Sequence, residues 1–211
     1  MTELAESRRA DAPAPRTRIG VVYGVIWVVS FVLGALFFRR RAAGRELVPD
    51  GPVLLVANHA SYLDIPLVGS SLRRHVCYVA RHTLADNPLL AWTMHRCGSI
   101  LIRRDTPDRA AIGQMVGHLR AGDCVLIFPE GRRSRTGELL PFKGGAALVA
   151  RRGGAPVVPV AIFGSGEALP PGRWPRPRPT GVRFGAPLEP GPDVLDRARR
   201  ALEGLLAAGR P

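Results

Sequence analysis

The stretch Val53-Leu54-Leu55-Val56-Ala57-Asn58-His59-Ala60-Ser61-Tyr62-Leu63-Asp64 decides the fold. Its first five residues are an unbroken apolar run, which predicts a short buried strand. A polar cluster follows at once, and open α/β sheets carry their chemistry at the carboxyl ends of such strands. His59 and Asp64 are five residues apart. On a continuous helix they would stand about 140° apart, on different faces. The pair meets only if the chain bends, with His59 on a strand-to-helix turn and Asp64 in or just before the first turn of a helix beginning near Pro66. The carboxylate then accepts from one imidazole nitrogen and fixes the tautomer, leaving the other nitrogen as a base for a substrate hydroxyl. No protein nucleophile is needed if that hydroxyl attacks directly. Alone, such a pair is more often a capping Asp and a turn His; its company along the chain decides between them.

Upstream, residues 1–18 are polar and rich in Ala, Pro and Arg, and read as a disordered basic tail. Residues 19–38 form an uncharged run, IGVVYGVIWVVSFVLGALFF, bounded by Arg18 and Arg39-Arg40-Arg41. At full helical length such a run covers about 30 Å, so a membrane helix is expected. A signal peptide fits less well, because Arg follows the run in place of a small-residue cleavage site. Arginines flank both ends, so the positive-inside comparison is a tie, and shallow insertion stays open. Cys77, Cys97 and Cys124 lie far apart among apolar residues, without metal-type pairing. They read as buried thiols of a reducing compartment. With the substrates expected below, they place the downstream domain on the cytoplasmic side of the cell membrane.

Downstream, short apolar runs alternate with amphipathic ones. Strands are expected over 53–57, 76–80, 100–102, 125–128, 157–163 and 181–184. Helices are expected over 65–72, 88–95, 107–120, 144–152 and 194–208. This alternation predicts an α/β domain over 45–211 with a mostly parallel sheet covered by helices. Residues 164–180, rich in Gly and Pro, read as a surface loop in which Trp174 touches the membrane interface. No internal repeat and no nucleotide-binding glycine fingerprint is present.

The chain carries a formal charge of +13. Such a charge favours anionic partners: lipid headgroups, phosphorylated small molecules or nucleic acid. The positive charge is almost all arginine, and Lys143 is the single lysine. A second cluster, Phe128-Pro129-Glu130-Gly131-Arg132-Arg133-Ser134-Arg135, again follows an apolar strand and should share the rim of His59. Pro and Gly suit a tight turn that fixes the Glu130 carboxylate, and guanidinium forks match phosphate oxygens. Arg81 and Arg103-Arg104 follow two further strands, and Lys143 precedes a helix start whose amides favour an anion. A base-like pair and several cations on one rim suit group transfer to or from a phosphorylated substrate.

At this point the sequence resembles the glycerolipid acyltransferase family with the HxxxxD motif, typified by 1-acyl-sn-glycerol-3-phosphate acyltransferases. The family's N-H-x-S-x-x-D is Asn58 through Asp64, and its second motif is Gly98-Ser99-Ile100-Leu101-Ile102-Arg103-Arg104. F-P-E-G-T-R-S corresponds to Phe128 through Ser134, and the last motif to Val158-Pro159-Val160. The likeness covers roughly residues 45–190, and four ordered motifs are far more specific than one. Departures are Arg132 for the usual Thr, Leu101 for an aromatic, Arg103 for Asp and Arg81 for a frequent Lys.

The resemblance implies transfer of a fatty acyl group from acyl-CoA or acyl carrier protein to the free hydroxyl of 1-acyl-sn-glycerol 3-phosphate, giving phosphatidic acid. His59 would be the base and Asp64 its partner, with backbone N–H groups near the first motif receiving the oxyanion. Arg104, Glu130, Gly131 and Arg133 would bind the acceptor, together with Arg81 and Lys143. No metal and no cofactor beyond the acyl donor is expected. The expected partners are lysophospholipid, acyl thioester and a bilayer with anionic lipids. Two rivals remain: acylation of glycerol 3-phosphate or another lysolipid, and a non-catalytic protein that binds anionic lipid. Nucleic-acid binding rests on charge alone, because no stacking aromatics interleave with the arginines.

Overall fold

The computed structural model describes residues 20–102 and 109–211. Helix α1 (Val21–Leu36) leads into β1 (Arg41–Ala43), β2 (Val53–Ala57), α2 (Asp64–Gly69) and β3 (Val76–Arg81). Then come α3 (Pro88–Arg96), β4 (Ile100–Ile102), α4 (Arg109–Arg120), β5 (Cys124–Ile127) and α5 (Gly144–Gly153). Strand β6 (Val157–Phe163), α6 (Ser165–Ala168), β7 (Gly181–Phe184) and α7 (Val194–Ala207) complete the chain. The seven strands form one sheet in the order β1-β7-β6-β2-β5-β3-β4. All neighbours run parallel except β6 and β7, which are antiparallel.

All five residues of β2 are buried because the strand is covered on both faces and paired on both edges. Leu54 stands beside Val125 of β5 and Val157 of β6. Val53, Leu55 and Ala57 pack on one face with Leu67 and Val68 of α2. Leu54 and Val56 pack on the other with Met115 and Leu119 of α4, Val149 of α5 and Val194 of α7. The central strand therefore ends where two packed layers open onto one rim, and the polar residues after Ala57 are held there.

The apolar run near the amino terminus behaves differently from the expected membrane span. Its helix has 16 residues, about 24 Å, against about 30 Å of bilayer core. Among the described residues, no helix is long and apolar enough to cross a membrane. Instead α1 lies on the domain. Buried Tyr23 accepts from Val76 N–H (3.2 Å) and bonds the Tyr78 hydroxyl (3.1 Å), and Trp27 Nε1 donates to Leu72 O (2.8 Å). Past the helix end, Arg39 at φ 44° turns the chain and Arg40 donates to Ser70 and Ser71. The outer face stays bare and apolar, from Val21 (84% exposed) through Val25, Val28 and Val32 to Leu36 (80%). The basic tail over 1–18 lies outside the described residues.

Candidate active site

His59 follows the end of β2 by two residues, and Asp64 opens α2, so the bend required by their spacing is present. Asn58 makes the first part of the turn. Its side chain donates to Ile162 O (3.0 Å) and accepts from Ile162 N–H (2.8 Å), continuing the β2–β6 pairing by one side chain. His59 Nδ1 then lies 2.7 Å from Asp64 Oδ2. A carboxylate only accepts, so Nδ1 carries the proton and Nε2 carries the lone pair. The same Oδ2 accepts from Ala60 N–H (2.8 Å) and Ser61 N–H (2.9 Å). Asp64 is fully buried, whereas His59 is part-exposed and lines a large cavity. Phe128 stacks on the imidazole at 4.0 Å between centroids and 17° between planes, which fixes the ring's second degree of freedom.

The turn after β5 grips the same peptide from its other side. Glu130 Oε1 accepts from His59 N–H (2.9 Å), and Oε2 accepts from Leu140 N–H (3.1 Å). Ser134 N–H donates to His59 O (2.7 Å). Glu130 is 2% exposed, and burial pushes its carboxyl above the ordinary carboxylate range, which the two amide bonds only partly offset. Each oxygen accepts one backbone bond, so the carboxylate braces His59 from behind and does not stand on the cavity lining. Gly131 has φ 67°, and a Cβ there would come 2.9 Å from Lys143 Nζ. Its part is to let the turn form and the lysine lie across it.

These turns wall a cavity of about 1140 Å³. Exposed Arg132, Arg135 and Lys143 and half-buried Arg133 lie along its lining, with buried Ala111, Met115, Ile127 and Val149 deeper in. Arg133 lies over the Tyr62 ring at 4.0 Å, so a residue of the first motif orients the guanidinium of the third. Ser61 Oγ donates to Leu169 O (2.9 Å), tying the first motif to the exposed loop that carries Trp174.

Of the residues singled out from sequence, His59, Gly131, Arg133 and Lys143 line this cavity, and Asp64 and Glu130 stand directly behind His59. Arg81 closes β3 without a described side chain, and Arg104 lies outside the described residues. Phe128 and Tyr62 were not singled out, although both sit inside quoted motifs. Among the backbone amides near the first motif, those of His59, Ala60 and Ser61 are bonded to Glu130 and Asp64.

Fold and site together define an α/β group-transfer domain with a polarised imidazole over an amphipathic cavity. The acyltransferase family model matches residues 39–163, and the chain belongs to that family. A 1-acyl-sn-glycerol-3-phosphate acyltransferase of Chlamydomonas reinhardtii is 34% identical over 181 residues, 82% of this chain and 54% of the relative. A lyso-ornithine lipid O-acyltransferase of Pseudomonas aeruginosa is 33% identical over 150 residues, 71% of this chain and 57% of the relative. The chain thus spans about half the length of these curated relatives. The crystal structure of a 1-acyl-sn-glycerophosphate acyltransferase from Thermotoga maritima superposes with a TM-score of 0.77 at 25% identity, covering 99% of this chain and 83% of that one.

Proposed function

We propose that the protein transfers a fatty acyl group from a thioester to the free hydroxyl of 1-acyl-sn-glycerol 3-phosphate, forming phosphatidic acid. The observation that carries this reading is the Asp64-polarised His59 on a cavity with cations at its mouth and apolar side chains deeper in. His59 Nε2 takes the acceptor's hydroxyl proton as the oxygen attacks the thioester carbonyl. The tetrahedral intermediate collapses with loss of the thiolate, which receives the proton back from the imidazolium. Asp64 stabilises that imidazolium, and the face of Phe128 favours the cation as well. Arg133 and Lys143 meet the phosphate, and the buried apolar lining takes an acyl chain.

The reaction needs no cofactor beyond its acyl donor, acyl-CoA or acyl carrier protein. The substrates live in a bilayer, and the bare apolar face of α1 suits a helix lying in the interface, with the domain on the cytoplasmic side of the cell membrane. A second reading, acylation of an amino-acid lysolipid, is favoured by the lyso-ornithine lipid relative at similar identity. Labelled acyl transfer to lysophosphatidic acid, with lyso-ornithine lipid and glycerol 3-phosphate as competing acceptors, tests both. Transfer to the phosphorylated lysolipid that disappears in His59→Ala supports the first reading. Absence of transfer to any acceptor, from CoA and carrier-protein donors alike, overturns both.

A further inference from the structure

We infer that Cys77, His118 and Asp123 form a structural binding site for a thiophilic divalent metal ion, zinc by its ligand chemistry. The cysteine spacing in sequence gives no metal pairing, but the fold creates one. Cys77 is the second residue of β3, His118 lies in the last turn of α4, and Asp123 directly precedes β5. Strands β3 and β5 are neighbours, with Cys77 beside Val125, so the three meet at the amino-terminal rim of the sheet, opposite His59. Ligand atoms from Cys77, His118 and Asp123 all lie within 4.8 Å of one another, and all three residues are buried.

The distances suit a tetrahedral ion. Bonds of about 2.3 Å to sulfur and about 2.0 Å to nitrogen set a sulfur–nitrogen edge of about 3.5 Å. Cys77 Sγ lies 3.6 Å from His118 Nδ1 and 3.8 Å from His75 Nδ1. His75 stands outside the three ligands, beside the Cys77 sulfur. Its Nε2–H donates to Cys97 O at 3.0 Å, so in the neutral ring Nδ1 holds a lone pair. His118 Nδ1 and Asp123 Oδ2 are hydrogen-bonded at 2.8 Å, and must part by about half an ångström to share an ion. Binding releases the Cys77 thiol proton, neutral His118 binds through Nδ1 in its Nε2–H tautomer, and the thiolate and carboxylate balance the dication. Thiolate with imidazole selects zinc over magnesium or calcium. His75 and His118 each keep 8% exposure, so the rim is reachable. The ion would pin α4 to β3 and β5 and take no part in acyl transfer.

Cobalt(II) titration of the full chain, purified without a chelator or histidine tag, tests this site. Equimolar uptake with a near-ultraviolet thiolate band and the strong visible bands of tetrahedral cobalt is expected, with zinc displacing the cobalt. Zinc should raise the unfolding midpoint by several degrees in the wild type and in His59→Ala. Cys77→Ser should lose the thiolate band and most of the zinc-induced shift, while Cys97→Ser keeps both. Failure of the wild type to take up cobalt at tens of micromolar overturns the site. So does a thiolate band that survives in Cys77→Ser.

Discussion

Two His–Asp pairs stand on opposite rims of one sheet, and they make the same contact. His59–Asp64 and His118–Asp123 share a separation of five residues, the same Nδ1–Oδ2 contact, and lengths of 2.7 and 2.8 Å. What differs is the surroundings. His59 has a phenylalanine against its face and a cavity before it, and its aspartate is locked by two amides. His118 is buried against a cysteine sulfur. The pair alone fixes a tautomer; open space with room for a hydroxyl turns that tautomer into a base. The same pair beside a thiol is suited to an ion.

The largest expected effect separates the two histidines. His59→Ala should lower acyl transfer by about 10²–10⁴-fold while the domain stays folded, because Asp64 keeps its two amide bonds. His118→Gln should keep turnover and lose about 1–3 kcal/mol of stability, because Asp123 loses its buried partner. Turnover and denaturant melts of both variants check this, and the reverse pattern breaks the comparison. Next is Glu130→Gln. An amide can accept only one of the two N–H bonds, so His59 or Leu140 loses a partner. One such bond is worth about 1–2 kcal/mol, so kcat should fall about tenfold with the acceptor KM unchanged. A raised KM with unchanged kcat would return Glu130 to the role of acceptor ligand.

Smaller still is Tyr62→Leu. Without the ring beneath Arg133, acceptor KM should rise about two- to fivefold while kcat holds, the size of an exposed cation–π contact. Equal KM values would show that Arg133 is oriented without Tyr62. The smallest effect is one of pH. The Glu130 carboxyl is raised by burial, so the folded chain holds this proton more tightly than the unfolded chain. Its contribution to stability is full below the unfolded value, about 4.3, and falls as pH rises through the raised folded value. Urea melts from acid to neutral pH should show the wild type losing ground to Glu130→Gln across that window. An opposite slope would mean that the amide bonds outweigh burial.

Strand β2 was legible to the residue, because a strand buried on both faces has no polar position to blur its ends. Strand β1 was missed. Its three residues, Arg-Ala-Ala, are mostly exposed, and only pairing with β7 makes them a strand. The apolar composition of α1 was readable, but its docking through Tyr23 and Trp27 depends on β3 and the chain after α2, which no local pattern reports. At the site, spacing required a bend if His59 and Asp64 were to meet, and the company of the other motifs argued that they do. The place of Glu130 did not, since a glutamate among arginines reads as a headgroup contact until its partner 71 residues away is known. The cluster around Cys77 was equally hidden, because strand adjacency and not sequence spacing assembles it.

The double grip of the 130–134 turn on His59 has one more consequence. Glu130 holds the amide and Ser134 holds the carbonyl of the same residue, while Arg133 sits between them in sequence. Base and guanidinium are therefore mounted on one bracket, and the gap between them is bounded by that turn and by Tyr62 beneath the guanidinium. In the proposed reaction that gap acts as a caliper across the acceptor. A molecule whose hydroxyl and anion do not match that gap would bind by its charge and present the wrong oxygen. Regiochemistry would then be decided by the bracket, whatever the length of the chain in the cavity.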